Sequence, residues 1–183
     1  GRRGRVPASG LRLGRWGGGV RPWVALGGGL GGICSGGGGL AERLGSMSPG
    51  NHPVGFIDVS FYRDDYSTTG LKAKRRRTEL PFDVEGATIV LIDDVLFTGR
   101  SVRAAINELF DFGRPAVIEL AVLVDRGGRE LPYEPTYCGE RLAVARNLSI
   151  VLSRDGVQFR LGVEAAPGWL APPPRVREAP DPP

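Results

Sequence analysis

The segment from Ala87 to Val124 constrains the fold more than any other part of this 183-residue chain. Ala87–Asp93 (ATIVLID) is a nearly continuous apolar run, and Ala116–Val124 (AVIELAVLV) is a second. A strand with one wet face alternates apolar and polar residues. Runs without that alternation suit strands covered on both faces, as in a parallel sheet. Between them, Arg100–Phe112 sets Val102, Ala105, Ile106, Leu109 and Phe110 at helical i, i+3, i+4 spacing, and Gly113 with Pro115 supplies the stop. Strand, helix and strand in about 40 residues form a βαβ unit, with a right-handed crossover expected. The fold class is therefore α/β.

Other elements are set around this unit. Val54–Tyr62 is apolar-rich and suits a strand, whereas Arg63–Phe82 is polar and charged, with Arg75-Arg76-Arg77 past its centre. It reads as a long loop of the kind that is usually functional or disordered. Leu148–Ser153 and Val157–Val163 flank Asp155-Gly156, a hairpin signal.

Composition divides the chain. Residues 1–50 hold 18 of the 29 glycines and seven arginines against one acid, Glu42, so that a net +6 there leaves −2 for residues 51–183 out of the formal +4. The basic character belongs to one segment rather than to the folded body. That segment lacks helical or strand periodicity and the pattern of a secretory signal, and the single Met is Met47. Residues 1–31 are therefore expected to be disordered or non-native, with an arginine–glycine RNA-binding arm as the alternative. Residues 166–183 hold seven of the fifteen prolines and read as a disordered tail, which leaves 32–165 as the folded domain. No apolar run approaches the roughly 20 residues that span a bilayer. Cys34, Cys138 and His52 cannot supply a disulfide framework or a four-ligand zinc site, and two incidental thiols fit a reducing cytoplasm.

The chemistry concentrates in Ile89-Val90-Leu91-Ile92-Asp93-Asp94-Val95-Leu96-Phe97-Thr98-Gly99-Arg100-Ser101. A buried strand ends in two adjacent carboxylates, and a short loop with hydroxyls and a glycine opens a helix. N–H groups at the helix start, with the Thr98 and Ser101 hydroxyls, make a cradle for a phosphate monoester. Gly99 lets the backbone approach the ligand without a Cβ in the way. Asp93 and Asp94 can accept hydrogen bonds from vicinal sugar hydroxyls and help hold a hydrated Mg²⁺. A helix cap beside an ordinary turn is the plainer alternative.

These thirteen residues resemble the phosphoribosyl pyrophosphate (PRPP) motif of type I phosphoribosyltransferases. Asp58-Val59-Ser60-Phe61-Tyr62-Arg63-Asp64-Asp65, Leu80-Pro81-Phe82-Asp83 and Leu120–Pro132 resemble, more narrowly, the bifunctional pyrimidine operon regulator / uracil phosphoribosyltransferase family. The resemblance runs in order over about residues 32–164. It implies a mainly parallel sheet flanked by helices, a C-terminal β-hairpin, and the reaction of uracil with PRPP to give UMP and pyrophosphate in the cytoplasm.

By the same resemblance, Thr98, Gly99, Arg100 and Ser101 hold the 5′-phosphate, and Asp93 and Asp94 hold the ribose hydroxyls and Mg²⁺. Arg63 reaches the pyrophosphate or positions the loop after it, a surface ion pair being its plain reading. Arg75-Arg76-Arg77 help neutralise PRPP or are simply solvated. The wall of the base pocket falls at Val124–Arg129, with Val124, Asp125 and Arg126 as base-binding residues. Ser35, Gly36 and Gly37 form the pyrophosphate loop, in which Gly36 stands where many members have Arg. The first helix and the strand leading into that loop have no clear counterpart before residue 32, so the sheet is expected to lack an element. A homo-oligomer and pyrimidine-operon RNA are implied partners, and the alternatives to the enzyme are an RNA-binding transcription attenuator with little catalysis and a degraded nucleotide-binding homologue. Glu140 where a Lys is common, Gly128 where a His is frequent, and a body charge of −2 oppose the RNA part.

Overall fold

The computed structural model describes residues 28–33, 37–47, 52–59, 77–155 and 158–166. Five strands form one parallel sheet in the order β2-β1-β3-β4-β5: β1 Gly29–Ile33, β2 Val54–Ile57, β3 Thr88–Leu96, β4 Val117–Asp125 and β5 Tyr137–Arg141. Helix α1 (Gly37–Met47) connects β1 to β2, and helix α2 (Arg100–Phe112) connects β3 to β4. Strands β6 (Leu148–Asp155) and β7 (Gln158–Ala165) form a separate antiparallel pair.

The unalternating strands are explained by two cores. Ile89, Leu91, Leu120 and Val122 pack with Val102, Ala104, Ala105 and Leu109 of α2. Their neighbours Val90, Ile92, Ala121 and Leu123 pack with Leu40 and Ala41 of α1, and with Ile150, Leu152 and Leu161 of the hairpin. Each face of β3 and β4 thus meets apolar cover, and full burial of one such side chain stabilises by about 1.5–3 kcal/mol.

The expected helix and the second strand of the βαβ unit lie where the pattern puts them, but four expectations are corrected. β3 does not end at the two carboxylates but continues past them to Leu96. Phe110, assigned to the apolar stripe, is half exposed, because the α2 face toward the sheet passes through Ala104 and Ala105 instead. The sheet does not lack its leading strand: β1 lies between β2 and β3 and is buried along its length. Its sequence, Gly-Leu-Gly-Gly-Ile, carries almost no strand propensity, but a Cβ on Gly32 would lie 2.8 Å from the Gly38 Cα. A bare strand lets α1 pack closely. The hairpin turn is also one residue off, since Asp155 pairs with Gln158 and leaves 156–157 between them. Residues 60–62 of the expected Val54–Tyr62 strand and most of the 63–82 loop lie outside the described residues.

Candidate active site

In an open parallel sheet, ligands bind beyond the carboxyl ends of the strands, where neighbouring strands send their connections opposite ways. That point here lies between β1, which leads on to β2, and β3, which leads on to β4. The helices that follow, α1 and α2, both begin at this end. Neither has an acidic side chain in its first turn, so the positive end of each helix dipole is not offset there.

Asp93 is buried and Asp94 is half-buried, as expected for successive residues of one strand. The Asp93 carboxylate accepts the Asp94 N–H at 3.0 Å, and the Asp94 carboxylate accepts the Val95 N–H at 3.0 Å. Beyond them Gly99 holds φ +92°, a left-handed conformation natural to glycine. A Cβ there would also come 3.1 Å from the Tyr133 ring. No side chain caps α2 at Gly99, while the Thr98 hydroxyl accepts the Arg100 N–H at 3.3 Å. Ser101 sits half-buried in the first turn. Thr98, Gly99, Arg100 and Ser101 therefore share one short turn at the end of the strand that carries both aspartates.

Gly37 is the first residue of α1 and lies directly on the backbone of β3. A Cβ would collide with the Ile92 carbonyl and lie 3.0 Å from the Asp93 Cα. The start of α1 is thereby seated beside the two carboxylates. Ser35, Gly36 and Arg63 lie outside the described residues, as do Cys34 and Arg75-Arg76.

The connection after β4 is fastened to the α2 loop. The Arg126 N–H donates to the Leu96 carbonyl at 3.1 Å, and the Glu130 and Leu131 N–H groups both donate to the Thr98 carbonyl at 3.0 Å. Arg100 donates through Nε and Nη2 to one Glu130 carboxylate oxygen, at 3.1 and 2.8 Å. Of the expected base-binding residues, Val124 has its side chain in the core. The Asp125 carboxylate is buried and accepts from Gly127 N at 2.9 Å and Arg129 at 2.8 Å, with Arg141 at 3.6 Å. Burial alone would raise the Asp125 carboxyl, but these donors outweigh it and hold it below its ordinary value.

Arg126 packs its guanidinium 4.1 Å from the centre of the Phe97 ring and donates to the Ala145 carbonyl at 3.0 Å. Burial lowers its ionisation below the ordinary value. What this segment presents outward is backbone, at Gly127 and Gly128, which hold φ +70° and +74° and are exposed. Arg129 and Glu130 are partners of the Thr98–Ser101 turn that the expectations above do not name. The i, i+4 spacing of Asp125 and Arg129 about a Gly-Gly turn signals their own ion pair, not the contact with that turn. Cys138 is half-buried on β5, and burial pushes its thiol up.

The phosphoribosyl transferase domain family matches residues 32–138, a span that contains β3, the Thr98–Ser101 turn and α2. The chain belongs to this family. Within it the chain groups with the bifunctional PyrR proteins. The Bifunctional protein PyrR of Ralstonia nicotianae is 55% identical over 125 residues, 68% of this chain and 71% of that protein. The Bifunctional protein PyrR of Pseudomonas syringae pv. tomato is 51% identical over 122 residues, 67% of this chain and 72% of that protein. A solved hypoxanthine-guanine phosphoribosyltransferase of Bacillus anthracis, 15% identical, superposes with a TM-score of 0.53 over 67% of this chain and 69% of that one, a likeness of fold alone. The type I phosphoribosyltransferase fold is thus established, with its C-terminal antiparallel hairpin. No helix among the described residues is long and apolar enough to cross a membrane.

Proposed function

We propose that the chain is a uracil phosphoribosyltransferase, joining uracil N1 to C1′ of PRPP and releasing pyrophosphate, and that it acts in the cytoplasm. The observation that carries this reading is the turn at Thr98–Ser101, opening a helix whose N-cap is Gly99, at the end of the strand that carries Asp93 and Asp94, with the start of α1 seated against the same strand. Such a turn suits a 5′-phosphate, the two carboxylates suit the ribose hydroxyls, and the α1 start suits a second polyanion. The names of the PyrR relatives favour a pyrimidine as the base. The unit that works is the span from β1 through β7, flanked by the Gly/Arg-rich start and the Pro-rich end.

In this mechanism the chain positions and neutralises. Backbone N–H groups at α2 hold the phosphate end, Asp93 and Asp94 orient the ribose, and the Gly127-Gly128 turn offers backbone to the edge of the base. Among the described residues no three His, Cys, Asp or Glu side chains cluster as a metal cage. Mg²⁺ takes one or two carboxylates and completes its shell with water and substrate oxygens. Asp93 and Asp94 are the residues that would hold it. When bound, it supplies charge neutralisation to the departing pyrophosphate.

Control of pyrimidine genes is the second half of the reading, and the word bifunctional in the relatives' names favours it. Selective RNA binding by the body is opposed by the pairing of three of its arginines: Arg100 with Glu130, Arg129 with Asp125, and Arg141 with Asp125 and Glu134. The deciding assay follows UMP formation from PRPP with uracil, hypoxanthine or no base. UMP formed with uracil and no nucleotide with hypoxanthine is expected. Turnover of hypoxanthine in place of uracil would overturn the base assignment, and no turnover of either would overturn the enzyme reading.

A further inference from the structure

We infer that Arg129 is a positioning residue for the phosphate cradle, an inference that rests on the phosphoribosyltransferase reading. One guanidinium ties together three chain segments. Its Nη2 reaches Asp125 at the end of β4 at 2.8 Å, its Nη1 donates to the Phe97 carbonyl at 3.2 Å, and its Nε donates to the Tyr133 carbonyl at 2.8 Å. The side chain is mostly buried, and the Asp125 carboxylate compensates its charge.

The consequence lies in the direction of the peptide groups. A trans peptide is planar, so a carbonyl drawn to one side turns the following N–H to the other. The described peptides are all trans. The Leu96 carbonyl is drawn to Arg126 N, the Phe97 carbonyl to Arg129, and the Thr98 carbonyl to Glu130 N and Leu131 N. Three successive carbonyls thus face the β4–β5 connection, and the N–H groups of Phe97, Thr98 and Gly99 are turned away from it. Successive N–H groups presented on one side of a turn are what a phosphate requires. Two of the three carbonyls are held by backbone donors. The middle one depends on a side chain, and that side chain is Arg129.

Lysine at 129 would keep the charge toward Asp125 but lacks the planar fork that serves three acceptors at once. Calorimetric titration of the full chain and its Arg129→Lys variant with UMP, uridine and ribose 5-phosphate tests the role, because UMP and uridine differ only by the phosphate. The variant should lose about tenfold in affinity for UMP and ribose 5-phosphate, the scale of one charge-assisted hydrogen bond, with uridine affinity unchanged. Equal losses for UMP and uridine, or no loss for either, would overturn the inference. Should Arg129→Lys fail to fold, Arg129→Gln, which is shorter and lacks the planar fork, must show the same selective loss. If the unaltered chain binds none of the three, the phosphoribosyltransferase reading falls and this inference with it. If it binds ribose 5-phosphate but neither UMP nor uridine, only the uracil assignment falls, and the ribose 5-phosphate comparison decides the role of Arg129.

Discussion

Gly37 and Asp93 touch through their backbones: a Cβ on Gly37 would stand 3.0 Å from the Asp93 Cα and inside the Ile92 carbonyl oxygen. Helix α1 therefore meets the backbone of β3 at its first residue with no room for a side chain, and its start lies beside the residues assigned to the ribose.

Gly37→Ala is the direct test of that contact. Helix propensity alone would favour alanine by about 1 kcal/mol at most. Overpacking against backbone atoms that cannot swing aside costs about 1–3 kcal/mol, and it should win. Thermal unfolding should show a lower Tm, and PRPP affinity should fall because the α1 start is displaced. A variant as stable as the parent with unchanged PRPP affinity would show that the two elements are not held at this distance.

Asp94→Asn separates charge from shape. The Asn carbonyl can still accept the Val95 N–H that Asp94 accepts at 3.0 Å, so the melting temperature should hardly move. A lost hydrogen bond to a charged acceptor costs about 1.5–3 kcal/mol, so PRPP affinity should fall roughly ten- to a hundredfold. Unchanged affinity by calorimetry would remove the basis for placing PRPP here.

Acid should loosen the connection after β4. The Asp125 carboxyl is held below its ordinary value of 3.8 in the folded chain. A group depressed on folding contributes stability that is full above the unfolded pKa and is lost as pH falls through the folded one. The contribution should therefore be intact above about pH 5 and fade below about pH 4. Denaturant unfolding of the parent and Asp125→Asn across this range should show the gap between them closing as pH falls. A gap that stays constant to the lowest pH would assign the effect to something other than this carboxylate.

RNA binding should follow the arginine-rich start and not the body. Cutting at residue 32 would remove part of the buried strand β1, so the cleaner test replaces Arg2, Arg3, Arg5, Arg12, Arg15 and Arg21 with serine in the full chain. The parent should bind a pyrimidine-operon leader and a scrambled RNA equally, more weakly at higher salt, and the substituted chain should bind neither, because phosphate contacts alone carry no base readout. Filter binding at two salt concentrations with UMP present decides it. Leader-selective binding by the substituted chain, strengthened by UMP, would restore the RNA-reading role.

What the sequence by itself determined is local. The apolar runs of β3 and β4, the periodic stripe of α2 and the turn between them are legible because neighbouring residues carry each signal: strand burial in unbroken apolar runs, helix in a 3.6-residue period, a tight turn in hydroxyls beside a glycine. What only the tertiary structure decided depends on partners distant in the chain. Gly29–Ile33 is a strand because β2 and β3 hydrogen-bond to both its edges and α1 needs bare backbone to approach. Phe110 stays at the surface because α2 turns Ala104 and Ala105 toward the sheet. Arg129, read from sequence as part of a base-pocket wall, became the clasp of the phosphate loop because the fold brings the Phe97 carbonyl within 3.2 Å of its guanidinium. A contact across 32 residues leaves no period or composition bias in the chain, so no local pattern can announce it.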